Sequence, residues 1–276
     1  MANKKPIIAV TGATGFVGYN FRKFLAEQSI SVISLTRKKS RPFKTEKNTQ
    51  FADLDKIPNL KCDVLVHLIG IGGQTKESDY ETVNVLQTQK AIQLCKRSHI
   101  KKIIYISGLG VSNSTTLAYF ISKLKAENLI VNSGLDYTIF RASYVVGSND
   151  PLTQNLKKQI KDGTIVIPGS GSYRLQPILI NDVCKIILAA TTSKKLSNKT
   201  VDLVGPKTIS FENYIKKFNK SKVKIKKIPL EQAYHIALNN PKKALYGVDD
   251  LSIMVGDYVS NHKKLENLSG IKLKSL

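Results

Sequence analysis

The decapeptide Thr11–Asn20, TGATGFVGYN, constrains this chain more than any other stretch. It follows the apolar run Ile7-Ile8-Ala9-Val10 and opens a pattern that reads as a helix from about Gly15 to Gln28. A strand that turns into a helix through Gly12, Gly15 and Gly18 uses glycine for a tight turn, for close backbone approach to a ligand and for packing helix on sheet. The free N–H groups at the helix start and the helix dipole both favour an anion there. A pyrophosphate fits that position, and the stretch reads as a dinucleotide-binding turn, with an ordinary glycine-rich loop as the plainer alternative.

Strands are predicted over Ser31–Leu35, Asp63–Leu68, Ile103–Ile106 and Tyr137–Phe140, with helices near Tyr80–Ser98 and Leu117–Asn132 among them. This alternation specifies a parallel sheet flanked by helices, and near-continuous apolar strands imply burial on both faces. The expected fold class is therefore α/β, a doubly wound parallel (Rossmann) sheet. From Ser148 to Tyr173 turn formers surround one helix and a short strand Thr164–Ile167, whereas Asp182–Ala190 reads as a helix returning to the main body. The expected organisation is a dinucleotide-binding domain, 1–147 plus about 175–204, with a smaller interleaved C-terminal substrate lobe, 148–174 plus about 205–276.

The 276 residues, 42% apolar, suffice for a buried core. No stretch approaches the roughly 18 to 20 apolar residues of a membrane span, and the N-terminal residues do not read as an export signal, so a cytoplasmic location is expected. Cys62, Cys95 and Cys184 lie far apart without a C-x-x-C pair, which predicts reduced thiols, no disulfide framework and no metal site. Lys plus Arg 43 against Asp plus Glu 20 gives +23, a field that attracts phosphorylated ligands, nucleic acid or anionic surfaces. In the densest run Lys222, Lys224 and Lys226 alternate with Val223 and Ile225, as in a strand with one solvated face. Tyr214 and Phe218 are spaced for the buried side of a helix and not for stacking bases, so nucleic acid is disfavoured.

The second strand runs into Thr36-Arg37-Lys38. An acid about 20 residues after the glycine turn would hold a ribose 2′-hydroxyl, whereas an arginine there accommodates a 2′-phosphate. Arg37 favours NADP over NAD, with solvated loop charge at Arg37, Lys38 and Lys39 as the alternative. Phe51-Ala52-Asp53-Leu54 reads as a third strand, with Asp53 at its end able to accept from an adenine amino group.

With these residues in place the chain resembles the short-chain dehydrogenase/reductase superfamily, in particular the extended and atypical groups that include NAD-dependent epimerases and dehydratases. Gly12, Thr14, Gly15, Phe16, Val17 and Gly18 look like its phosphate turn, Asp53 and Leu54 like its adenine contact, and the stretch containing His67, Leu68 and Gly70 like its strand-four motif. Asn84 falls where the family keeps a structural asparagine. The stretch Tyr119–Lys123, YFISK, places a phenol and an ammonium one helical turn apart, on one face. The resemblance makes Tyr119 a general acid/base and Lys123 the group that holds the nicotinamide ribose and favours the phenolate. A chance pairing of a packed tyrosine with a surface lysine is the alternative. The resemblance also asks for a serine or threonine soon after strand five. Ser107 is the candidate, Ser112 lies further out, and the usual position of the hydroxyl is Leu109.

Arg174 stands one position too far from Asp182 for the family's nucleotide-sugar arginine, and Gln176-Pro177-Ile178 and Asp182-Val183 are similar to the NADPH-binding complex I accessory subunit and NmrA-like proteins. Arg141 either faces a substrate or ties loops together. The resemblance implies a NAD(P)-dependent oxidoreductase or epimerase/dehydratase-like enzyme acting on a small-molecule substrate, possible as a homodimer. The other reading is an NADP(H)-binding structural or redox-sensing subunit of a larger assembly.

Overall fold

The computed structural model describes residues 5–37 and 40–276, so Lys38 and Lys39, named above as loop charges, lie outside the described residues. The first half alternates β1 (Ile8–Thr11), α1 (Phe16–Glu27), β2 (Val32–Thr36), β3 (Glu46–Gln50), β4 (Val64–His67), a π-helical stretch Glu81–Leu86 continuing into α2 (Gln87–Arg97), β5 (Lys102–Gly108), α3 (Ala118–Val131) and β6 (Asp136–Ala142). Then follow β7 (Val145–Val146), α4 (Pro151–Lys161), β8 (Thr164–Pro168), β9 (Arg174–Leu175), β10 (Ile178–Leu179), α5 (Ile180–Thr192) and β11 (Lys199–Leu203). The chain ends with β12 (Ile209–Ser210), α6 (Phe211–Phe218), β13 (Lys224–Ile228), α7 (Leu230–Asn239), α8 (Val248–Met254) and α9 (His262–Ser269).

Seven strands form one parallel sheet in the order β11-β6-β5-β4-β1-β2-β3. Both faces are covered. On one, Phe21 and Leu25 of α1 and Val183, Ile186 and Ile187 of α5 pack on Ile8, Val10 and Ile104. On the other, Ala91, Leu94 and Cys95 of α2 and Ala126 and Ile130 of α3 pack on Leu65, Ile103 and Tyr105. The strand order reverses beside β1, where a crevice opens at the carboxyl ends of β1 and β4, the position at which doubly wound sheets bind ligands.

The third strand differs from the sequence expectation. It is the polar segment Glu46–Gln50, paired with β2 at the sheet edge, and Asp53 lies beyond its end. Phe51 and Leu54 turn inward to the core, and Asp53 caps a short 3-10 turn at Leu54–Lys56 by accepting from the Asp55 amide. An edge strand needs backbone pairing more than apolar side chains, which is why its periodicity gave no signal.

A third cluster joins Leu152 and Leu156 of α4, Ile165 and Ile167 of β8, Phe211 and Ile215 of α6, Ala233 and Ala237 of α7 and Leu251 of α8. Tyr214 is buried in it and Phe218 packs against it, while Lys224, Lys226 and Lys227 of β13 are exposed. The stretch 205–276 divides: α9 turns back to the main body, where Leu265 and Leu273 join the cluster around α5. Among the described residues the three cysteines are free, no helix is long and apolar enough to cross a membrane, and no group of His, Cys, Asp and Glu is arranged for a metal ion.

Candidate active site

The glycine turn leaves β1 through Gly12, whose φ of +61° is a left-handed conformation that side chains resist. A Cβ there would also strike the Leu68 carbonyl after β4, and a Cβ on Gly18 would strike the Gly12 carbonyl. The Gly15 amide donates to the Gly12 carbonyl at 3.0 Å, and Gly15 caps α1, which has no acid in its first turn. The result is a helix N-terminus with its amides open to an anion. Thr14 is exposed on the turn, whereas Gly12, Gly15, Phe16, Val17 and Gly18 line the crevice with Leu68 and Gly70.

Three buried polar groups brace this region. Arg22, 2% exposed, donates to the Ala13 carbonyl at 2.9 Å and pairs with Glu46 at 2.5 Å, tying the turn to the sheet edge. His67 hydrogen-bonds Thr11 at 2.8 Å and Thr88 at 3.1 Å, and Thr11 also accepts from the Leu68 amide. Burial, with the nearby Lys123 charge, depresses His67 to about 3, so its ring is neutral. Asn84 accepts from the Ile71 amide at 2.9 Å and donates to Ser122 at 2.9 Å, pinning the loop after β4 to α3. The expected helix over Tyr80–Ser98 begins as π-helix, and Asn84 sits in that widened turn.

On α3 the expected pair shares one face. Lys123 Nζ lies 5.9 Å from the centre of the Tyr119 ring, and it donates to the Tyr105 hydroxyl at 3.1 Å and the Ile106 carbonyl at 3.2 Å. A Cβ on Gly70 would lie 3.0 Å from Nζ, which places the ammonium just behind the crevice wall. Tyr119 stands over Gly108, flanked by Tyr80 and Phe120 with ring centres 5.9 Å and 5.1 Å away. The electrostatics depart from expectation. Burial pushes the Tyr119 phenol up to about 12, and burial, opposed by Glu127, brings the Lys123 ammonium down to about 8. The neighbouring cation does not offset the loss of solvent around the phenol.

The remaining predicted residues fall in different places. Ser107 is 3% exposed, and its hydroxyl has no partner among the described residues and does not line the crevice. Ser112 is exposed and bonds Ser114, while Leu109 does line the crevice. Arg37 is exposed just after β2. Asp53 is held by Lys90 at 2.6 Å, a contact that lowers its pKa, and Leu54 is fully buried. Arg141 ties elements together: it makes two bonds to buried Glu127, at 3.0 Å and 2.7 Å, joining β6 to α3.

The crevice is a cleft of about 450 Å³ running from the glycine turn past Tyr119 to the third cluster. Its far wall comprises Leu109, Phe120, Tyr144, Leu152, Ile253 and Tyr258. Ser143 and Asp250 also line it, and sequence reading missed both. Only the end of β6 as a ligand-facing strand terminus could have flagged Ser143.

The family model for the NAD dependent epimerase/dehydratase family matches residues 8–203. The chain is 26% identical over 224 residues to NADH dehydrogenase [ubiquinone] 1 alpha subcomplex subunit 9, mitochondrial, of Arabidopsis thaliana, a match covering 72% of this chain and 54% of that protein. The chain thus spans about half the length of that curated relative. The fold is shared with MoeE5 in complex with UDP-glucuronic acid and NAD, with a TM-score of 0.77 and 15% identity over 97% of this chain and 94% of that one. It is shared too with UDP-glucuronic acid 4-epimerase from Bacillus cereus in complex with UDP-glucuronic acid and NAD, at a TM-score of 0.74 and 20% identity over 98% and 95% of the two chains.

Proposed function

We propose, because this chain belongs to the NAD-dependent epimerase/dehydratase family, that it binds NADP(H) in the cleft and catalyses hydride transfer between the nicotinamide and a carbonyl or alcohol substrate. The observation that carries this reading is the placement of Tyr119 on the same cleft as the open N-terminus of α1, with Lys123 one helical turn along and just behind the wall. The residues present suit a dinucleotide: a pyrophosphate finds the Gly15 end of α1, and Leu68 and Gly70 line the way towards Tyr119.

When bound, the nicotinamide supplies or accepts the hydride at carbon. Tyr119 gives its phenolic proton to the carbonyl oxygen in reduction, and its phenolate takes the proton from the alcohol in oxidation. Lys123 would hold the nicotinamide ribose through its hydroxyls. The high resting pKa of Tyr119 keeps the proton on the phenol, and the positive charge of an oxidised nicotinamide is what favours the phenolate. Asn84 and His67 hold the frame without exchanging protons with substrate. Arg37, exposed after β2, supports NADP over NAD through a 2′-phosphate.

Tyr119→Phe should cut turnover by about 10²- to 10⁴-fold while NADPH binding, read by the cofactor's fluorescence, stays nearly unchanged. Unchanged turnover would sink the assignment of Tyr119.

A second reading is favoured by Leu109 lining the cleft while buried Ser107 does not: a chain that holds NADP(H) within an assembly without turnover. The name of the Arabidopsis relative points the same way. Isolation from its own cells separates the two, since a chain locked to other subunits supports the assembly reading and a free chain that turns over rejects it. The same fractionation tests a cytoplasmic against a mitochondrial location.

A further inference from the structure

The chain carries 43 basic residues, yet the described residues that line the cleft include no lysine or arginine. Three cations adjoining its lining residues are already engaged. Lys123 lies behind Gly70, bonded to Tyr105 and the Ile106 carbonyl. Arg141 is held in a two-bond pair by Glu127, and Arg174 is paired with Asp257 at 2.9 Å. The charged groups on the substrate side are carboxylates. Asp150 is spent on the Gly147 and Thr153 amides at 3.0 Å and 2.8 Å, and Asp250 accepts from the Gly247 amide at 3.0 Å. Burial raises the phenol of Tyr144, and the negative charge of Asp250, an exposed carboxylate, raises it further.

A diphosphate placed here would lose water without gaining a cation, an arrangement that binding sites avoid. The wall offers aliphatic and aromatic surface instead. Phe120 and Tyr258 meet edge to face at 5.3 Å, and the Tyr258 ring is wedged against Gly110 and Gly256, where any side chain would displace it. The nicotinamide end must occupy part of the 450 Å³, which limits the partner to a small molecule.

On the strength of the dinucleotide reading above, we infer that the substrate end of this cleft takes a small carbonyl compound or secondary alcohol of apolar or aromatic character that bears no negative charge, and not a nucleotide-linked sugar. Shape and apolar burial select it, and Asp250 repels anionic competitors.

Calorimetry on the full chain tests this. NADP⁺ and NAD⁺ are titrated first, and absence of binding by both counts against the dinucleotide reading alone. Three probes are then titrated with and without dinucleotide: acetophenone, para-acetylbenzoate and UDP-glucose. The neutral ketone is expected to bind about tenfold or more tighter than its carboxylate analogue, with UDP-glucose weaker still. UDP-glucose or para-acetylbenzoate binding as tightly as acetophenone, or acetophenone failing to saturate, overturns the inference. Asp250→Asn should narrow the penalty against para-acetylbenzoate relative to acetophenone. An unaltered penalty removes Asp250 from the explanation and with it the electrostatic half of the inference.

Discussion

The two ends of the cleft are made of different material. The dinucleotide end is main chain: a left-handed glycine, a carbonyl pressed against another glycine and a row of amides, all braced by buried Arg22, His67 and Asn84. The substrate end is side chain, gathered from the turns after β5 and β6, from α3, α4 and α8, and from the loop carrying Tyr258. A site made of backbone admits few substitutions because every atom is fixed by the fold. A site made of side chains from distant segments can change its chemistry without changing its scaffold.

That contrast predicts a ranking of effects. Gly12→Val and Gly18→Val should weaken dinucleotide binding by about 100-fold or more, because the added atoms meet backbone carbonyls that cannot move aside. Retained affinity in a titration of NADPH fluorescence would break the contrast at its root. Next comes Arg22→Ala, which leaves Glu46 buried without its cation and should cost about 3–5 kcal/mol of stability in chemical denaturation.

Lys123→Met should act through pH. The ammonium is depressed from 10.5 to about 8, so between those values the unfolded chain binds more protons than the folded one. The wild type therefore gains stability as pH rises from about 8 to 10.5, and the variant lacks that gain. The Met variant should be the more stable at pH 7, by about 1–3 kcal/mol after the lost hydrogen bonds are counted, with the gap closing above pH 8. A gap that stays constant across that range would contradict a strained, buried ammonium.

The smallest effect belongs to the substrate side. Arg174 and Asp257 are about half exposed, and Arg174→Ala should change stability by about 1 kcal/mol or less. A larger loss would show that this outer rim is as rigidly built as the glycine turn.

The same division governs what could be read from the sequence. The glycine turn, the strands that bury both faces and the Tyr119–Lys123 spacing are local patterns, and each appears in the structure where the pattern put it. Strand Glu46–Gln50 was missed because its neighbour β2 and not its own side chains determines it. Tyr144, Ser143, Asp250 and Tyr258 converge across up to 115 residues of chain, a juxtaposition no local window contains. The resting pKa of Tyr119 was expected to fall and instead rises, since spacing along a helix reveals a charged neighbour but not the depth of burial.

The path of the chain between its hydrophobic clusters has a consequence for how the protein could be reshaped. The polypeptide leaves the large sheet after β6, returns at β10, departs again after β11 and comes home at α9, with the short β7–β10 pairing standing at the crossing. The lesser body is thus stitched into the larger one rather than appended to it. It cannot be snipped away by a protease at one exposed link or transplanted as a cassette between relatives. New specificities on this scaffold have to arise by point changes and loop grafts, each made while both bodies remain joined.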